Sequence, residues 1–305
     1  MATPCPTILQ LIPHLDAGGA EITTLEVTAA IVKAGGRALI LSQGGRLAGR
    51  IAELGGEVMP FPAATKNPAR IVANGYALAR LIAREKVDLI HARSRAPAWS
   101  ALIAARLARI PFVTTYHGAY SERSRLKNLY NSVMARSDIV IANSDYTAQS
   151  IRSRYDAPAA RVRTIYRGVD LARFDPAMVA PERIAALRSS WRIAADARVI
   201  VHVARVTPLK GQSVVIDAAR RLKAGGQLGN TVIVFAGDAQ GRTGYLADLE
   251  AQITAGGLAD QVRIVGHVDD VPAAFALAHA ALLVSTEPEG FGRRAAEAQA
   301  LCCPV

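Results

Sequence analysis

The sequence is poor in cysteine, in aromatic residues and in long apolar runs, and each shortage removes a class of protein. Its three cysteines are Cys5 near one end and the adjacent Cys302 and Cys303 at the other. An odd count without framework spacing excludes a disulfide-stapled secreted domain. No Cys-x-x-Cys pair and no His/Cys cluster offers zinc ligands, so neither a metal nor another cofactor is expected. No apolar run approaches the ~18 residues that a membrane-spanning helix needs. The opening residues lack the charged lead and clean apolar stretch of a secretory signal. Aromatic residues are 5% of the chain and no known nucleic-acid-binding motif occurs, which argues against nucleic acid as a partner. A soluble, cytoplasmic protein is expected.

What is present is hydrophobic and regular. With 305 residues, 51% of them hydrophobic, the chain can bury two cores and is not disordered. Apolar runs of strand length at 7–11, 38–41, 58–61, 89–92, 112–116 and 139–142 alternate with helical patterns such as 71–85. This alternation implies parallel sheets covered by helices on both faces. Runs such as IVIA and TVIVFAG suit strands buried on both sides. The pattern lapses from 170 to 196, then restarts with strands at 199–204, 231–236, 262–265 and 280–284. Helices are expected there at 212–224, 245–255 and 292–301. The fold class is α/β: two doubly wound, Rossmann-like domains over 1–185 and 186–305 facing a cleft. Ligands of such sheets bind beyond the carboxyl ends of the strands. The ending CCPV opens what should be another strand, so the second domain is expected to be truncated.

The basic charge is unevenly spread. Residues 1–185 hold 24 Lys and Arg against 14 Asp and Glu, whereas residues 186–305 hold 12 against 11. A compositional bias that spreads arginine over solvated faces explains this. So does a first domain that meets a phosphorylated substrate or an anionic lipid surface.

Four places combine chemistry-bearing residues with the right setting. Gly18 and Gly19 stand between the first strand and a helix, where the backbone can approach a phosphate and the helix end favours negative charge. Arg205 and Lys210 follow the strand at 199–204, one offering a bidentate fork and the other a point charge for a diphosphate. Glu289 precedes Gly290, Phe291 and Gly292, which open the helix carrying Glu297. Backbone amides there can hold sugar or phosphate oxygens, and a carboxylate can accept from a ribose diol. The same stretch also fits G-x-G-x-x-A through Gly290, Gly292 and Ala295, but not in the first strand–helix turn where that fingerprint belongs. His117 closes the strand at 112–116 and reads either as a core histidine or as one facing the ligand. The other five histidines are read as structural.

Together these residues resemble the retaining nucleotide-sugar glycosyltransferases of family 4, which have the GT-B fold. The matches run in order: Gly18-Gly19-x-Glu21, His117-Gly118, NSDYTA from Asn143, RGVD from Arg167, Arg205 with Lys210-Gly211, Gly237-Asp238, and Glu289 with Glu297 around GFG. The resemblance implies that Arg205 and Lys210 hold the donor diphosphate and stabilise the leaving group. Gly18 and Gly19 would close on the same phosphates. Glu289, with the amides of Phe291 and Gly292, would orient the donor sugar, Glu297 would bind the ribose, and His117 would touch the transferred sugar. No divalent metal is implied. The departing phosphate would take the acceptor's proton on the same sugar face, so positioning and electrostatics would carry catalysis.

Two departures stand out: Cys302 occupies the place of a usual glycine after the last helix, and further elements of the family are missing. A nucleotide-sugar-binding pseudo-enzyme and a nucleotide-sugar epimerase are the rival readings. The acceptor is expected to be a glycan or a lipid-linked glycan such as a lipopolysaccharide or exopolysaccharide precursor. Arg123, Arg125, Lys127 and Arg136 beside Leu126, Leu129, Tyr130, Val133 and Met134 suit docking at an anionic membrane surface.

Overall fold

The structure, a computed structural model, describes residues 5–16, 18–118 and 124–305. The chain divides into two compact units, Met1–Arg167 and Gly168–Val305.

In the first unit, seven strands form one parallel sheet. They are β1 (Thr7–Leu11), β2 (Arg37–Ser42), β3 (Glu57–Pro60), β4 (Leu89–Ala92), β5 (Phe112–Tyr116), β6 (Ile139–Ala142) and β7 (Val162–Thr164), in the order β3-β2-β1-β4-β5-β6-β7. Helices α1 (Gly19–Lys33), α2 (Ala48–Glu53), α3 (Pro68–Glu85), α4 (Arg95–Ala108), α5 (Arg125–Ser132) and α6 (Asp145–Tyr155) connect them. The strand order reverses between β1 and β4, the place where such sheets leave a crevice at the carboxyl ends.

Local chemistry fixes the helix ends. α3 begins at Pro68, ahead of the expected 71, because Asn67 accepts a hydrogen bond from the Arg70 amide at 3.2 Å and Pro68 suits the first turn. It packs on α4 through small residues: a Cβ at Gly75 would stand 2.6 Å from Cγ2 of Ile103. On α4, Ala98, Ala101, Ala104 and Ala105 are buried against the sheet core.

The second unit opens with α7 (Pro181–Ser190). It continues through β8 (Arg198–Val203), α8 (Gln212–Ala224), β9 (Thr231–Ala236), α9 (Thr243–Ala255), β10 (Val262–Gly266), α10 (Val271–Leu277), β11 (Ala280–Ala281) and α11 (Arg293–Ala300). Its parallel sheet has the order β10-β9-β8-β11. Segment 168–185, expected with the first domain, belongs here instead. Phe174 and Val179 are buried with Trp191, Ile193 and the β8 valines in one core. The boundary therefore lies at 167/168 rather than 185/186.

β11 is shorter than the expected 280–284. The Leu282 carbonyl meets Nδ1 of His202 at 2.9 Å in place of a ladder partner. Val284 runs under Gly211, whose φ of +72° and lack of a Cβ let it sit directly on the Val284 carbonyl.

Candidate functional site

Gly18, Gly19 and His117 lie in the first unit, and the other seven candidate residues lie in the second. In the first, Gly18 is the N-cap of α1, and no side chain caps that end. The Glu21 carboxylate folds back against Gly18 from the third helical position, as the acidic member of a capping box does. His117 follows β5 directly. Asn143 supports it by donating from Nδ2 to the His117 carbonyl at 3.3 Å.

Arg167 ties these loops together. Its Nη1 donates to the Gly19 carbonyl at 2.7 Å, and its Nη2 meets Nδ1 of His117. Nε2 of His117 is buried without a hydrogen-bond partner among the described residues. Burial, then the fields of Arg167, Arg93 and His91, push the His117 pKa well below the usual histidine range. The imidazole is thus neutral at pH 7, with Nδ1 accepting from Arg167 and Nε2 carrying the proton.

In the second unit, β8 delivers Arg205 and Lys210 and the β11–α11 segment delivers Glu289. Lys210 donates from Nζ to Oε1 of Glu289, and the Ser285 hydroxyl donates to the same oxygen. The Arg205 carbonyl is fixed by Nε2 of Gln212 at 2.9 Å, while its guanidinium reaches toward Oε1 of Gln240 at 3.5 Å. Burial pushes the Glu289 pKa up. The hydrogen bonds from Lys210 and Ser285, with the fields of Lys210 and Arg205, outweigh this and hold it below the usual carboxylate range. Glu289 is therefore ionised at neutral pH.

Gly292 caps α11 with a left-handed φ of +77°, again without a side-chain cap, so the first-turn amides keep the positive end of the helix. Gly290 is buried and Phe291 half-buried. Glu297, 6% exposed, lies on the inward face of α11 and accepts from Arg294 one turn back.

Sequence reasoning missed Arg93 and gave Arg167 no role. Arg93 leaves the carboxyl end of β4 and is buried beside Gln10. The rule that singled out Arg205, a cation at a strand's carboxyl end, applies equally to Arg93. Of the expected docking stripe, Arg123 lies outside the described residues, and Val133 and Met134 are fully buried core. What α5 does expose is Leu126, Leu129 and Arg125. No described helix is long and apolar enough to cross a membrane.

Two parallel α/β units, each with its polar residues at the carboxyl ends of its strands, define the GT-B class of fold. The comparisons agree with the geometry. Residues 17–173 match the family described as Glycosyltransferase Family 4, and residues 184–305 match Glycosyl transferases group 1. The chain belongs to glycosyltransferase family 4. A D-inositol 3-phosphate glycosyltransferase from Jonesia denitrificans is 29% identical over 72% of this chain and 54% of its own length. The chain thus spans about half of that relative. Among solved structures, a glycosyltransferase from Rickettsia africae is 30% identical with a TM-score of 0.86, over 99% of this chain and 78% of that one. HepE from Anabaena, solved with UDP and glucose, is 26% identical with a TM-score of 0.84, over 98% of this chain and 80% of that one.

Proposed function

We propose that this chain acts in a retaining, metal-independent transfer of a sugar from a nucleotide-diphosphate sugar to a glycan or lipid-linked acceptor. The observation that carries the reading is the Lys210–Glu289–Ser285 cluster, with Glu289 ionised and Arg205 beside it, at the carboxyl end of β8. An arriving diphosphate competes with Glu289 for Lys210. As that contact exchanges, the carboxylate turns to the donor sugar's hydroxyls while Lys210 and Arg205 face the phosphates. Charge grows on the leaving diphosphate in the transition state, so preorganised cations there lower the barrier more than they tighten donor binding.

The remaining candidates complete the reading. Gly290, Phe291 and Gly292 offer amides to the sugar, and Glu297 accepts from the ribose once Arg294 yields it. Gly18 and Gly19 approach the phosphates, and neutral His117 offers its unpartnered Nε2–H to the transferred sugar. The departing phosphate takes the acceptor's proton. The lipid-linked form of the acceptor is supported by Leu126 and Leu129, exposed on α5 next to Arg125 and Lys127. The enzyme then works at the cytoplasmic membrane surface on a lipopolysaccharide or exopolysaccharide precursor.

Incubation with UDP-glucose tests the reading, since HepE is solved with that compound. UDP release above the buffer rate, with a product of unchanged anomeric configuration, is the expected result. Tight UDP-glucose binding without turnover would make the chain a binding protein, and accumulation of an epimer would make it an epimerase.

A further inference from the structure

Arg294 stands where the energetics of its own helix disfavour a cation. Glu297 and Ala298 of α11 and Leu301 directly after it are buried, and Arg294 heads that stripe on the same helical face. Its side chain is 42% exposed, so the stripe opens to solvent at the first turn. That turn holds no acidic residue, and no side chain caps it. A cation at the positive end of a helix is unfavourable, and a cation one turn before a glutamate is the weaker order for such a pair. The contact with Glu297 does offset the cost of burying that carboxylate. A neutral donor in the same place would serve Glu297 without opposing the helix, so pairing within α11 does not account for an arginine here.

The position along α11 supplies a reason. In the transferase reading the donor's phosphates lie at the amino end of this helix and the ribose lies one turn on, at Glu297. Arg294 falls between the two on the same face, and its guanidinium holds the carboxylate that the ribose needs. A ribose diol that takes Glu297 releases that guanidinium within the first turn. There its planar fork matches phosphate oxygens, which it can meet bidentately. Lys210 and Glu289 show the same arrangement on the preceding loop: a cation paired with a carboxylate, each half suited to a different part of the donor.

We propose that Arg294 is a donor-binding residue that exchanges Glu297 for the donor's phosphates, so that ribose and phosphate bind as a coupled pair. The proposal rests on the transferase reading above, which puts the ribose at Glu297. Its consequence is selectivity. A nucleoside without phosphate must displace Arg294 and offers it no new partner, whereas a nucleoside diphosphate supplies one.

Calorimetric titration of the full chain with UDP and with uridine tests this in the parent, Arg294→Leu and Arg294→Gln. GDP with guanosine and ADP with adenosine run beside them, and the diphosphate that binds the parent is compared with its own nucleoside. In Arg294→Leu the diphosphate should bind about tenfold or more weaker, because a charged hydrogen-bond donor is lost. The nucleoside should bind about threefold or more tighter, because Glu297 no longer has to be released. Opposite signs exclude a folding artefact, since a misfolded variant loses both ligands. Arg294→Gln keeps a neutral donor for Glu297 and should melt with the parent. It should still lose about tenfold in diphosphate affinity with no fall in nucleoside affinity. Both ligands binding tighter in Arg294→Leu would make Arg294 a plug on Glu297 and overturn the proposal. In Arg294→Gln, affinities that fall together or do not change would overturn it as well. A parent that binds none of the three diphosphates would overturn the transferase reading and the proposal with it, whereas the other outcomes overturn the proposal alone.

Discussion

Removing the Glu289 carboxylate should weaken the second unit as well as its chemistry. The side chains of Lys210 and Glu289 are 16% and 29% exposed, and one Glu289 oxygen accepts from both Lys210 and Ser285. Glu289→Ala leaves a mostly buried ammonium and a hydroxyl without that acceptor. Hydrogen bonds to charged groups are worth ~1.5–3 kcal/mol, so a loss of about 2 kcal/mol is expected. For a unit of this size that lowers the melting temperature by roughly 6 °C. The pH dependence follows from the direction of the shift. Because the folded-state pKa of Glu289 lies below its ordinary value, the stabilisation is full above the ordinary carboxylate pKa of about 4.3 and is lost as pH falls through the folded value. Circular-dichroism melts of parent and variant at pH 7 should therefore show a gap that narrows as the pH falls below the ordinary carboxylate range. Equal melting at pH 7, or a gap that persists unchanged below the carboxylate range, would refute this account of the cluster.

The other predictions concern the last helix, the donor contacts and the membrane. Cys302 holds a left-handed φ of +57° directly after α11, so Cys302→Gly should raise stability by about 1 kcal/mol, read by denaturant melts; a lower midpoint would contradict it. Glu297→Ala should raise the KM for UDP-glucose with little change in kcat, because ribose contacts are made equally in ground and transition states, whereas Glu289→Ala should lower kcat. The reverse pattern would exchange their roles. Co-sedimentation with vesicles should need anionic lipid, weaken as salt rises and fall in Arg125→Gln/Lys127→Gln. Equal binding to neutral vesicles, or none to either, would move the acceptor to a soluble molecule.

The strands that read clearly in the sequence are those buried on both faces. β5, β6, β8 and β9 show as largely apolar runs because most of their side chains are enclosed, and the few polar ones, such as Thr114, His202 and Thr231, are buried with them. β7 was not legible: it is a three-residue edge strand whose central Arg163 is exposed. Segment 168–185 was misassigned because Phe174 and Val179 sit in a polar, proline-bearing run, and the core they join is formed by residues far along the chain. In the site, residue types and positions at strand ends were readable, but their pairings were not. Lys210 meets Glu289 across 79 residues, and Arg294 occupies Glu297. Arg93 was missed because burial of a charge depends on three neighbouring strands and leaves no local pattern. The stripe at 126–134 divides because α5 ends at Ser132, after which Val133 and Met134 turn into the core.

The central claim is that Arg205 and Lys210 stabilise a leaving diphosphate. Steady-state UDP release from UDP-glucose, measured beside UDP affinity for the parent, Arg205→Ala and Lys210→Ala, tests it most directly. A preorganised cation at the developing charge is worth roughly 3 kcal/mol, so each variant should lose ~100-fold or more in turnover while UDP affinity falls much less. Full turnover in both variants, or losses in turnover and UDP affinity of equal size, would contradict it.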